Sequence, residues 1–342
     1  YRLGAKILNP YSWGPIIEST NLDLFIGLSS RDIMSTSVLD LGYQLNSNEG
    51  TGQWIGNFSY QGIYPVLNVQ GYIGNRAVTE RFPVRDEAGN IVGDTLSKVT
   101  WDERGILLGA ELPFNLTRSK YLQDLSIGFN YNYTSVKDYE SYESLRYPDM
   151  LGNGSLLSNE YYFSFRRMLR TSKRDLYGKF GQFLYLQYEH TPWEASDYEG
   201  EMFAAQMRLF FPGLFKHHSL NYRIGYQWQN YDRTNSDIYL FSSPIFWTRG
   251  YPYRIFDNYL NNSFNYAFPV IYPDHPIWSL LNIQRIYTNF FFDVGRGYIY
   301  ERPAEDIPRQ INYYRSVGVE VSFDFNLMRF LSLFNIGFRY VY

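Results

Sequence analysis

Side chains able to do covalent or metal chemistry are few in this 342-residue chain, and they are poorly placed for it. There is no cysteine, which excludes thiol catalysis, disulfide scaffolds and cysteine metal sites. His217 and His218 are adjacent, so they cannot both point to the same face of a strand, and they fall in an expected exposed turn. His190 and His275 have no ligand-type cluster beside them, no nucleophile motif occurs, and there is no phosphate-binding loop. Neither an enzyme nor a bound metal or cofactor is expected. What remains is charge pairing. Arg249 stands in Trp247-Thr248-Arg249-Gly250-Tyr251 inside a long connection, where a glycine lets the backbone turn tightly beside the guanidinium.

The elements that position such residues are strands. Leu220, Tyr222, Ile224, Tyr226 and Trp228 alternate with Asn221, Arg223, Gly225, Gln227 and Gln229, and similar runs recur through most of the chain. The apolar series is too rich in Tyr (34), Phe (26) and Trp (7) for one soluble core. An apolar exterior around a polar interior is the pattern of a transmembrane β-barrel, with Tyr and Trp suited to the membrane interfaces. Mean hydropathy is −0.36 because half of each strand faces away from lipid. No apolar run is long enough for a transmembrane helix. A net charge of −3 gives no electrostatic case for nucleic acid.

The expected fold is all-β: an antiparallel up-and-down transmembrane barrel, 14–16 strands here and 16 in the intact protein. Strands are predicted at 4–14, 21–31, 35–46, 52–62, 65–76, 98–112, 121–135, 156–170, 180–190, 199–211, 218–231, 259–270, 283–296, 312–326 and 332–342. Residues 1–342 read as one barrel domain, with 1–18 as first strand or linker because prolines interrupt it. Long connections at 77–97, 136–155, 232–258 and 297–311 alternate with short ones at 63–64, 113–120, 212–217 and 327–331. The long ones are expected outside the cell and the short ones in the periplasm. Within 77–97, Asp86-Glu87-Ala88-Gly89-Asn90 reads as a solvated turn. The chain begins at Tyr1 without a signal peptide, so upstream periplasmic domains are expected to be missing.

Thr248-Arg249-Gly250-Tyr251 resembles the Val/Ile-Arg-Gly-Phe/Tyr motif in the sixth extracellular loop of the BamA–TamA–FhaC superfamily (the bacterial surface antigen family), with Thr248 replacing the branched aliphatic. Downstream, Asn262 to Pro269, Phe291-Phe-Asp-Val-Gly295 and Ser316-Val-Gly-Val-Glu-Val321 are similar to that family's next three strands. Gly27 to Asp32 and Tyr60 to Pro65 resemble its second to fourth. The resemblance implies a loop folded back into the lumen, its arginine held by inner-wall acidic and aromatic groups. Parity places Asp293 with Asn289, Phe291 and Gly295 on the lumen face, and an arginine confined there needs a carboxylate. Arg249 with Asp293 is thus the expected pair, with Glu320 and Asp324 as alternative partners and Tyr251 packed on the wall. Glu160, Glu189, Arg166, Arg208 and Arg223 are expected to form lumen ion pairs.

Residues 335–342 resemble the terminal strand signal of barrel clients, with Asn335, Gly337, Tyr340 and Tyr342 as seam positions. Parity instead ends Tyr342 outside, matching the fifteenth of sixteen strands, so either a last strand is missing or the strand count is off by one. The resemblance implies an insertase or translocase of a Gram-negative outer membrane, acting through a seam between first and last strands. Its partners would be lipids or lipopolysaccharide, client polypeptides or lipids, and accessory lipoproteins. A passive pore, or an anchor for an upstream catalytic or propeller domain, is the competing expectation.

Overall fold

The computed structural model describes residues 9–18, 23–85, 91–140, 151–172, 174–192, 196–231, 238–278, 280–300, 309–327 and 334–342. They form one antiparallel sheet and, among the described residues, no helix. Its strands are β1 (Pro10–Glu18), β2 (Asp23–Arg31), β3 (Ser37–Asn46), β4 (Thr51–Tyr60), β5 (Val66–Arg85), β6 (Ile91–Asn115), β7 (Tyr121–Glu140) and β8 (Gly154–Leu169). There follow β9 (Gly181–His190), β10 (Glu201–Pro212), β11 (Ser219–Asn230), β12 (Asn258–Ile271), β13 (His275–Ile277), β14 (Leu281–Ile299), β15 (Gln310–Leu327) and β16 (Phe334–Val341). Each strand pairs with its neighbour in sequence, except that short β13 folds onto β14 alone and β12 pairs directly with β14. Among the described residues β1 pairs only with β2 and β16 only with β15, so the sheet is not closed between them.

Period-two chemistry explains the two faces. On β11, Asn221, Gln227 and Gln229 are buried whereas Tyr226 is exposed, the reverse of a soluble protein. On β14, Phe290 and Phe292 lie open on the outside while Asn289 and Asp293 are buried. A barrel in lipid needs this inversion, because the hydrocarbon contacts the outer face and the lumen is polar. The buried core lies inside the lumen, between the wall and the connection from β11 to β12. Ile245 and Phe256 of that connection pack with Ala204, Tyr259 and Tyr314 of the wall, and Trp247 joins them.

Three expectations change. The predicted loop at 77–97 is mostly ladder, since β5 and β6 stay paired through Ala77↔Thr100, Thr79↔Lys98 and Pro83↔Asp94. Its sequence does not keep the period-two alternation of the other strands, which a ladder outside the lipid does not need. Its Asp86–Asn90 turn lies outside the described residues. The connections at 136–155 and 297–311 shorten likewise, because β7 runs to Glu140 and β14 to Ile299. The first strand runs over Pro10–Glu18 rather than 4–14, of which 4–8 lie outside the described residues. Gly14 and Pro15 do not interrupt it, pairing with Gly27 and Ile26. An edge strand leaves alternate N–H groups unpaired, so a proline without one is tolerated there.

Candidate functional site: a loop latched inside the lumen

Three adjacent strands present small and polar side chains inward at matching heights. Ser263 on β12 stands opposite Asp293 on β14, which stands opposite Ser316 on β15. One level away lie Asn265, Phe291 and Gly318, and the next level pairs Asn289 with Glu320. The floor is shallow and lined with acceptors, and the loop tip descends onto it.

Arg249 fills that floor. Its Nε donates to Asp293 Oδ2 at 2.7 Å and its Nη2 to Oδ1 at 2.7 Å, a two-pronged pair. Nη2 also donates to Ser263 Oγ and to Asn265 Oδ1, each at 2.9 Å, and Nη1 reaches Glu320 Oε1 at 3.4 Å. The backbone N–H of Arg249 adds a bond to Asp293 Oδ2 at 3.2 Å. Beneath the guanidinium, the Phe291 ring centroid lies 3.6 Å from Cζ, so the planar cation stacks on an aromatic face. The Asp293 side chain is 1% exposed and that of Arg249 is 15% exposed. A pair this buried is sustained by its two-pronged geometry and by the added bonds to Ser263 and Asn265.

The neighbouring residues shape the approach. Thr248 is fully buried, its hydroxyl 2.7 Å from the Tyr259 hydroxyl and its N–H donating to the same oxygen at 3.1 Å. A Cβ at Gly295 would collide with Thr248 Oγ1, so the missing side chain is what lets the loop dock. Gly250 has φ +87°, a left-handed conformation that favours glycine, and faces Val341 of β16. The Tyr251 ring packs edge-on against Tyr314 at 4.8 Å and its hydroxyl donates to the Arg315 carbonyl at 2.9 Å. Trp247 stacks on Tyr259 at 4.5 Å and donates from its indole to the Tyr251 carbonyl at 3.1 Å.

Glu320 joins this tip to the edge strand. Besides Arg249, it accepts from Asn289 at 2.9 Å and from Arg339 Nε of β16 at 2.5 Å. Sequence reasoning missed Arg339, Ser263, Asn265 and the Trp247–Tyr259 stack. A signal was present in the inward row Asn261, Ser263, Asn265, where polar side chains succeed one another on a single face.

Other expected partners fall elsewhere. Asp324 does not reach Arg249; it pairs with Arg285 and accepts from Asn335 at 2.6 Å, nearer the opposite end of the strand. Asn335 lies level with Asp324 and Gly337 with Ser322, both on the inner face, while Tyr340 and Tyr342 stand exposed on the outer face. Of the five charges expected to make lumen ion pairs, only Arg166 does so among the described residues, with Asp124 at 2.8 Å. Register explains this: Glu160 stands opposite Glu189, and Arg208 opposite Arg223, like charge against like. Glu160 is met instead by Asn130 and Glu189 by Ser158, both at 2.8 Å.

The two histidines of the 213–218 turn are tied in rather than exposed. His217 Nδ1 lies 2.7 Å from Asp175 Oδ1 and His218 Nδ1 lies 2.8 Å from the Tyr266 hydroxyl. Burial pushes the Asp175 carboxyl up, but hydrogen bonds from His217, Ser172 and Lys179 outweigh it and hold its pKa at about 2.

An up-and-down sheet of this size, apolar outside, with a long connection latched to its inner wall by a buried arginine, defines an outer-membrane-type barrel with a lumenal loop. Among solved structures, the chain is similar to BamA from Haemophilus ducreyi lacking POTRA domains 1–3, at 10% identity and a TM-score of 0.51. That match covers 96% of this chain and 69% of the other. CdiB from Acinetobacter baumannii aligns over 95% of this chain and 58% of its own, at 12% identity and a TM-score of 0.40. No protein-family model matches the sequence, and neither does any curated protein sequence. At these identities the likeness to BamA establishes the fold: this chain has the fold of a BamA-type barrel.

Proposed function

We propose that the chain is the barrel of a Gram-negative outer-membrane insertase or translocase, which passes polypeptides or lipids by way of the edge between β16 and β1. It works without a cofactor or covalent chemistry. One observation carries the reading: Arg249 of the lumenal loop, Glu320 of β15 and Arg339 of β16 form a continuous chain of charge pairs. The position of the loop is thereby coupled to the strand at the edge of the sheet. Gly250 seated against Val341 reinforces the same connection. An edge strand is a template for strand addition, and in lipid its backbone groups cannot remain unsatisfied cheaply. A latch that holds β16 in place sets how readily that edge opens to a client. The partners are therefore client segments, surrounding lipopolysaccharide and lipids, and accessory lipoproteins that deliver clients.

The chain has no cysteine, which makes a cross-linking test clean within it. Cysteines scanned over positions 12–16 and 336–340 in the full-length protein would identify a pair that locks β1 to β16 on oxidation. The expected result is loss of client assembly or export in cells, restored by reductant. Full transport through a quantitatively cross-linked barrel would remove the edge from the mechanism and favour a passive pore.

A further inference from the structure

The outer face carries a second constructed feature, on β2–β7 and far from the latch. In register across five of these strands lie Leu28, Leu41, Gly56, Gly71 and Ile106, all on the face turned away from the lumen. Two adjacent strands thus contribute glycines at one level, so a furrow opens in an otherwise bulky apolar surface. Nothing approaches the missing Gly71 Cβ more closely than the Gly105 carbonyl oxygen at 4.0 Å. Leu28 and Leu41 form one wall, Ile106 and Tyr133 the other, and Trp54 and Ile73 overhang it; the cavity holds about 870 Å³. These walls are exposed apolar side chains, with Trp54 63% and Ile73 58% accessible.

The furrow does not end in apolar surface. Ile73 and Arg104 also line an adjoining cleft of about 210 Å³, whose other walls include Asp102, Ser135 and Lys137. Arg104 and Lys137 are exposed, and among the described residues neither has an ion-pair partner. Two carboxylates also line the cleft. Asp102 stands opposite Lys137 in the ladder and accepts from Asn75 at 2.8 Å. Glu103 accepts from the Trp101 indole at 2.8 Å and lies 3.8 Å from Arg76. Moving along β6 from Arg104, the outward positions become Ile106, Leu108, Ala110, Leu112 and Phe114, so the cations sit where the apolar band begins. Charge at the boundary of an apolar band meets lipid headgroups, and hydrocarbon fills the space below.

We propose that this furrow and its basic rim form a binding site for one phosphate-bearing acyl lipid, its chain on Gly56 and Gly71 and its phosphate on Arg104 and Lys137. An ammonium and a guanidinium together suit a phosphomonoester, the guanidinium by its fork and the lysine as a point charge. A zwitterionic headgroup would bring its own cation against the rim. The site rests on the membrane-barrel reading of the outer face but not on any transport activity.

Native mass spectrometry of the purified chain in detergent would test it, with dimyristoyl phosphatidic acid, dimyristoyl phosphatidylcholine or inorganic phosphate added. One phosphatidic acid molecule should be retained, phosphatidylcholine about tenfold more weakly, and inorganic phosphate should not compete. Gly71→Leu, which fills the floor, and the double variant R104Q/K137Q should each weaken retention by about tenfold. Should Gly71→Leu fail to fold, the exposed double variant carries the test. Heat-modifiable gel mobility checks that each barrel is intact. Equal retention of the two lipids, competition by phosphate alone, or indifference to both changes would overturn the site. A chain that forms no heat-modifiable barrel in detergent would instead overturn the membrane reading beneath it.

Discussion

Replacing Arg249 by alanine isolates the latch. The variant removes both prongs to Asp293 and the bonds to Ser263, Asn265 and Glu320, while Asp293 stays with its side chain 1% exposed. Orphaning one member of a buried pair costs about 3–5 kcal/mol, more than the pair contributes over neutral groups. Asp293→Asn keeps the shape and leaves Arg249 with neutral acceptors and Glu320, so its cost is smaller, about 2 kcal/mol. The double variant R249A/D293A has no stranded charge and should be less damaged than the two single alanine changes combined, by about 2 kcal/mol. The readout is the midpoint of heat-modifiable gel mobility, which Arg249→Ala should lower by roughly 4–7 °C in a chain of this size. Complementation in cells gives the functional arm. A wild-type midpoint together with full complementation for Arg249→Ala would refute the latch. Strict additivity in the double variant would refute the direct pairing with Asp293.

Gly250→Ala should cost about 1 kcal/mol from its positive φ alone, with more from contact with Val341, and should accelerate hydrogen exchange in β16. Unchanged exchange in β16 would break the proposed connection between loop and edge. Thr248→Val keeps the shape but removes the hydroxyl facing Tyr259, so a loss of about 1 kcal/mol is expected in the same mobility assay. The tie to Tyr259 fails if Thr248→Val matches wild type while Tyr259→Phe does not. Asp175 has its folded pKa near 2, below the ordinary 3.8, so its contribution is complete above the higher value and disappears as pH falls through about 2. Limited proteolysis of the turn around residue 175 should therefore be constant from pH 7 to about 5, and Asp175→Asn should expose the turn already at neutral pH. Equal cleavage of Asp175→Asn and wild type at pH 7 would count against that role.

Local chemistry made the strands readable. Side chains alternate with a period of two wherever one face meets lipid, so β11, β12, β14 and β15 could be placed within a few residues and Asp293 assigned to the lumen. The same rule failed at 77–97, because a ladder standing in water imposes no alternation to read. It failed at β1 too, where the unpaired edge accepts Gly14 and Pro15, which a central strand would reject. Arg249 and Asp293 were individually legible, one from its tripeptide and the other from parity. Distance was not, since residues 44 positions apart meet only when a loop folds back across three strands. The like-with-like placement of Glu160 against Glu189 and Arg208 against Arg223 was equally hidden, because parity tells which face a side chain takes but not its register partner.

What the sequence by itself determined is therefore the inverted barrel, its approximate strand order and the two ends of the latch, all of which follow from nearest-neighbour geometry along one chain. Only the tertiary structure decided that Asp324 serves Arg285 while Glu320 links Arg249 to Arg339 on the edge strand. Only it brought Gly56 beside Gly71 to open a furrow under Arg104. Those choices depend on register between strands and on the path of one loop, and both are set by packing summed over many residues rather than by any local run.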